Sequence, residues 1–303
     1  MLRSLSCVLR LLAFVAFIAT TCAAQSAPHD IHFWRSIAAN HYAVPPGENV
    51  SSLSRELSSN LASPDPILRD DLSYSILYVW IVRKELLTPD DLNFLLAEWQ
   101  SNLRIAIGES GTDSVFRRSF SALCLAAIAE HDLKSPALGE TRYRQLLTNA
   151  LDYLNAEQDL RGFDPGKGWI HSAAHTADLF AALARNPFFK VSDQQRLVDA
   201  IARRLSSAQQ IYSYGEQHRL AVAVAAVIQR PDFDAASFHA WLTKLDEADQ
   251  LTWNDSPPNA DRLKTFQNNS YFLEALAARL SAEPKSPAII SVQDQLTPIL
   301  RKR

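Results

Sequence analysis

The chain has 303 residues, with 30 basic and 33 acidic side chains and a formal net charge of −3. That balance excludes general nucleic-acid binding, which needs a basic surface. Apolar residues make up 47% of the chain and only 8 residues are glycine, enough apolar matter for one large helical domain or two smaller ones.

The N-terminus reads as a secretory signal. Arg3 and Arg10 flank the start of an apolar stretch, Leu11 to Ala19, and Cys22-Ala23-Ala24 gives a small-x-small cleavage site before Gln25. The apolar stretch is too short to span a bilayer. Lipidation through Cys22 is the weaker expectation, because Ala19-Thr20-Thr21 is a poor lead-in. Loss of residues 1–24 removes Arg3 and Arg10, taking the net charge from −3 to −5, and removes Cys7 and Cys22. Cys124 then stands alone in an apolar helical stretch and reads as a buried small hydrophobe. The expected location is outside the cytoplasm, periplasmic or secreted, with no stable membrane span after cleavage.

Residues 25–303 read as a single all-α domain. Leu and Ala recur at helical spacing, β-branched alternation is nearly absent, and proline falls between segments. About eleven helices are expected, near 30–41, 50–62, 67–86, 89–106, 113–132, 140–157, 169–185, 193–210, 215–229, 235–247 and 261–281, with a weaker one after Ser291. Thr88-Pro89-Asp90-Asp91 places a capping hydroxyl, a first-turn proline and two acids at one helix start. Ser192 and Gln195 have capping-box spacing at another. Short connections between long helices point to a degenerate helical-hairpin array, an α-solenoid or α/α-type superhelix.

The most specific stretch is residues 157–179, a charged, glycine-punctuated loop running into a small-residue helix. With that helix starting near Trp169, His171, His175 and Asp178 fall at i, i+4 and i+7 on one face. They flank a narrow alanine face made by Ala174, Ala177, Ala181 and Ala184. Two imidazoles and a carboxylate on one stripe suit a divalent transition metal such as zinc, with Glu216 or Glu157 as general base of a hydrolase. The same stripe could be a His/Asp acid–base pair. It could equally be a structural brace, with Asp178 taken by Arg161 or Arg219 and the histidines bonded to loop carbonyls. A further alternative is an α/α-barrel acting on glycans through two carboxylates among Asp159, Asp178 and Glu216. Lys167 beside Gly166 and Gly168 offers positive potential for an anion, and Trp169 is the best candidate for the wall of a ligand cleft.

Other charges sit among apolar residues: Arg69 in Leu68-Arg69-Asp70-Asp71, Arg118 in Phe116-Arg117-Arg118-Ser119-Phe120-Ser121, and Glu216 and Arg219 in Tyr214-Gly215-Glu216-Gln217-His218-Arg219-Leu220. Buried charges must be paired, so these residues are expected to form a polar seam through the array.

At these positions the chain resembles a bacterial family designated only as domain of unknown function 2785. The resemblance rests on Leu68-Arg69-Asp70 with Tyr74, then Val115 to Ser121, Asp159-Leu160-Arg161-Gly162, Lys167-Gly168-Trp169, His171, Ala174-His175, Ala177-Asp178-Leu179, Gly215-Glu216 and Arg219-Leu220. It covers roughly residues 65–230 and departs at Gln217-His218, where the family carries acidic residues. It implies an all-helical, repeat-like fold and no particular activity. The functional expectation is a binding module for a protein, peptide or small molecule. Its polar groove would be formed by Arg69, Arg118, Arg161, Lys167, Trp169, His171, His175, Asp178, Glu216 and Arg219. The alternative is the metal-dependent hydrolase.

Overall fold

Residues 28–254 and 256–303 are described in a computed structural model of the protein. The expected signal segment, with Cys7 and Cys22, lies outside the described residues.

Among the described residues twelve α-helices run in chain order. α1 (Ile31–Ala39) and α2 (Val50–Asn60) open with Asp30 and Asn49, whose side chains accept from Phe33 N and Ser52 N; each answers a backbone donor left free by the first helical turn. α3 is a continuous run of three segments: Ile67–Tyr74 and Val79–Arg83 carry π-type bonding, and Ser75–Tyr78 lies between them. α4 (Pro89–Asn102) begins as the sequence predicts. Thr88 accepts from Asp91 N, Asp91 reaches back to Thr88 N, and Pro89 occupies the first turn.

α5 (Ser114–Lys134), α6 (Gly139–Ala156), α7 (Ser172–Arg185), α8 (Val191–Ser207), α9 (Glu216–Ile228), α10 (Ala235–Gln250), α11 (Ala260–Ser281) and α12 (Pro287–Leu300) complete the set. α8 starts before the predicted Ser192 cap. Asp193, not Gln195, closes its first turn by accepting from Lys190 N at 2.9 Å.

The helices form two rows. α5, α7, α9 and α11 pack side by side in sequence, and α6, α8 and α10 pack against one another and against that row. α7 is the central member: every residue from Ser172 to Ala184 is buried except Asp178. A helix that is apolar nearly all round belongs inside a core, and its alanines allow close approach by both neighbours. Ala174, Ala177 and Ala184 are fully buried, as are Ala221 and Ala223 of α9. Cys124 of α5 is buried within this row, and burial pushes its thiol pKa far up. It is therefore a packing residue with no accessible thiolate. No helix among the described residues is long and apolar enough to cross a membrane.

Residues 163–169 do not begin a helix. They form a small antiparallel hairpin, β1 (Phe163–Asp164) and β2 (Gly168–Trp169), paired Phe163 with Trp169 and Asp164 with Gly168. α7 therefore starts three residues later than its sequence periodicity predicts.

Candidate functional site

The hairpin is fixed from within and from below. Asp164 Oδ1 accepts from Gly166 N at 2.8 Å and Lys167 N at 3.0 Å, which makes the Pro165-Gly166-Lys167 turn. The turn's backbone donors are thus already answered by its own carboxylate. Lys167 Nζ bonds Asp113 Oδ1 at 2.6 Å, so the expected anion site is filled by internal acids.

Arg69 of α3, fully buried, pins the hairpin. Its Nη2 donates to Lys167 O at 2.7 Å and its Nη1 to Ser63 O at 2.8 Å, while its guanidinium lies 4.0 Å from the Phe116 ring centroid. The position of Gly168 follows from this closeness. Its φ is +75°, and a Cβ there would stand 2.7 Å from Pro66 Cβ and 3.3 Å from Arg69 Nη2. Asp70 sits beside Arg69, with Oδ1 2.6 Å from Arg69 Nε. Burial raises the Asp70 pKa to about 6, against the opposing pull of Arg69.

Two more arginines stitch the loop before the hairpin to the α4–α5 connection. Arg118, fully buried, makes a fork with Glu157 (Nε–Oε2 2.6 Å, Nη2–Oε1 3.0 Å), and its Nη1 donates to Ala106 O at 2.9 Å. Arg161 bonds Asp159 through Nε and Nη2, and Nη2 also donates to Thr112 O. Asp159 in turn accepts from Gly111 N at 2.9 Å.

His171 sits just outside α7 rather than on its face. Its φ of 47° is left-handed, a conformation that a non-glycine residue adopts only under constraint. The constraint is visible: Nε2 donates to Tyr214 O at 3.0 Å, and the ring stacks on Trp169 with centroids 4.3 Å apart. Burial lowers the His171 pKa to about 4. His175 is buried in α7, with Nδ1 2.8 Å from Ser119 Oγ. The Ser119 hydroxyl donates to Ile170 O; with its single proton so used, it accepts from His175, whose Nδ1 carries the hydrogen. Burial pushes the His175 pKa well below its ordinary value. Both imidazoles are neutral near pH 7, and neither is poised to exchange a proton there.

Asp178 is held by both arms of Arg219, with Nε–Oδ1 at 2.6 Å and a second bond from Nη2 to Oδ2. Burial raises the Asp178 pKa, and the Arg219 bonds act in the opposite direction. Glu216 accepts from Tyr214 N at 2.9 Å, and burial raises its pKa as well. Gly162 makes room for it: a Cβ at Gly162 would lie 2.5 Å from Glu216 Oε1 and from Tyr214 Cδ2.

These contacts bear on every residue named from the sequence. Of the two arginines considered for Asp178, Arg219 is the partner. His171, His175 and Asp178 do not converge on a point, and among the described residues no group of three or more His, Cys, Asp or Glu is arranged to hold a metal ion. The zinc expectation for this stripe assumed a helix starting near Trp169; the hairpin and the left-handed turn at His171 remove that shared face. Glu157 and Glu216, the candidate general bases, are 3% and 2% exposed and committed to Arg118 and to the Tyr214 amide. Of the three carboxylates considered for glycan cleavage, Asp159 and Asp178 are each forked by an arginine.

What the network presents to solvent is aromatic. Phe163 is 38% exposed, Trp169 42% and Tyr214 48%. They form one patch: the Phe163 centroid lies 4.9 Å from Trp169 and 6.3 Å from Tyr214. The Asp178–Arg219 fork ties α7 to α9, with the Arg219 side chain 48% exposed. Trp169 was singled out from the sequence; Phe163 and Tyr214 were not. For Phe163 the signal is turn chemistry, since Phe163 and Trp169 bracket Asp164-Pro165-Gly166-Lys167-Gly168 at hairpin spacing; Tyr214 carries no such local signal.

No curated protein and no solved structure matches the chain. A family model described as "Protein of unknown function (DUF2785)" matches residues 103–278, more than half of the chain and all of the hairpin, α7 and the Tyr214–Arg219 segment; the chain belongs to that family.

Proposed function

We propose that the protein is a binding module and that Phe163, Trp169 and Tyr214 form its recognition surface. The observation that carries this reading is the exposure of three large aromatic rings on a backbone held by buried ionic contacts. Aromatic side chains of this size are ordinarily placed in a core. When exposed together they supply large, rigid contact area at low entropic cost, and tryptophan, tyrosine and arginine are the residues most enriched at binding hot spots. The charged motif serves as the support: Arg69, His171 and Glu216 hold the backbone and rings of the patch. Asp178 and Arg219 add a polar pair that joins α7 to α9. The partner class that fits best is a peptide segment of another protein, with apolar or proline side chains against the rings. An exported location suits such a module and remains part of the proposal.

The test is a selection from a random-peptide display library on the full chain, followed by titration of the enriched peptides against a Trp169→Ala/Tyr214→Ala variant. Both side chains are partly solvent-facing, so the variant should keep its melting temperature within about 3 °C, as surface changes do. We expect the enriched peptides to lose at least about tenfold in affinity. Peptides that bind the variant as well as the wild type would place recognition elsewhere.

A further inference from the structure

Away from the aromatic patch, α8, α10 and α11 border an open-mouthed cavity of about 510 Å³, within the size range of small-molecule sites. Trp241 and Leu245 of α10 supply apolar wall, both buried, and Ala202 of α8 and Ala248 of α10 also line it. The polar element is Asn269 of α11, 5% exposed and also lining the cavity. Its Nδ2 donates to Asp249 Oδ1 at 2.8 Å, which sets the direction of the amide. Asp249 Oδ2 accepts from Arg303 at 2.7 Å, so that carboxylate is already matched by a cation. Asn269 Oδ1 is left buried with no hydrogen-bond partner.

A buried acceptor without a donor is unfavourable, and an apolar cavity beside it is the place from which a donor can arrive. The other charged side chains around the cavity are of both signs, Asp199 and Asp261 with Arg203, Lys244 and Arg262, so they do not select a strongly charged ligand. We propose that this cavity binds a neutral amphiphile. Its apolar body lies along Trp241 and Leu245, and a single N–H or O–H donor reaches Asn269 Oδ1. All the lining residues fall within the family-matched region, 103–278. The site is independent of the aromatic patch and does not rest on the peptide-binding reading.

The probe is N-phenyl-1-naphthylamine, a neutral aromatic molecule with one N–H, titrated by its fluorescence into the full-length chain. We expect a saturable enhancement. We also expect its N-methylated counterpart, which lacks the donor, to bind about tenfold more weakly, the upper range for one neutral hydrogen bond. Ala248→Trp starts from an exposed position of α10 and should block the cavity and abolish the enhancement. Trp169→Ala/Tyr214→Ala should leave it unchanged. Absence of enhancement in the wild type, equal affinity for the two probes, or full binding to Ala248→Trp would each overturn the proposal. Loss of binding in the Trp169→Ala/Tyr214→Ala variant would overturn it too, by moving the probe to the aromatic patch.

Discussion

His171 and His175 show how one residue type reads differently before and after folding. Their spacing in the sequence is compatible with a metal site, an acid–base pair or a brace, because periodicity gives direction around a helix and not the partners across it. The partners decide. Tyr214 O and Ser119 Oγ engage one nitrogen of each ring, and burial keeps both rings neutral. A neutral buried histidine has a consequence for stability. Its folded pKa lies below its unfolded value, so the unfolded chain binds the proton first as pH falls. The contribution is complete above the unfolded value of about 6.5 and is lost as pH falls toward the folded pKa, about 4 for His171. Asp70, raised to about 6, acts in the opposite sense: it favours folding as pH falls from about 6 toward its unfolded value of about 3.9. For His171 alone, the loss between pH 6.5 and pH 5 is about 1.5 kcal/mol. We therefore expect urea midpoints of the wild type to fall relative to those of His171→Gln between pH 6.5 and pH 5. Parallel curves for the two proteins would show that His171 takes its proton equally in the folded and unfolded states.

At the scale of elements, most helices were legible because each has its own local signals. Thr88, Pro89 and Asp91 fix the start of α4, and apolar spacing marks the long helices of the central row. The start of α7 was not legible. Ser172 to Ala184 carries a helical pattern, and Trp169-Ile170-His171 extends it by one turn on paper. The hairpin that replaces that turn depends on contacts made about a hundred residues away, from Arg69, and on glycines required at Gly162 and Gly168 by neighbours that local sequence cannot name. The same holds for the loop stitched by Arg118. The sequence shows that a charge among apolar residues needs a partner, but not that the partner is Glu157 or that Ala106 O shares it. Removing this guanidinium leaves Glu157 buried and unpaired. We expect Arg118→Met to lower the unfolding free energy by about 3–5 kcal/mol in urea titrations. The Arg118→Met/Glu157→Leu double change should recover a large part of the loss, because both ions are then gone. A loss below about 1 kcal/mol in the single variant would mean that Glu157 reaches water or takes a proton at little cost.

For the whole molecule, the helical class and the order of long helices were open to sequence reasoning, while the aromatic surface was not, since exposure is a property of the finished packing. Phe163 and Tyr214 look like core residues in isolation. They face solvent because Arg69, Glu216 and His171 hold the backbone beneath them against the central row. The charged motif thus makes this surface a rigid part of the body and not a mobile loop. Native-state hydrogen exchange tests it most directly, read at the amides of Ile170 and His171, which both donate to Gly162 O. A rigid surface predicts protection comparable to that of the Leu179 and Phe180 amides inside α7, with all of them opening in one cooperative step. Exchange of Ile170 and His171 within about tenfold of the unfolded-chain rate, beside a protected α7, would show the surface to be a mobile loop.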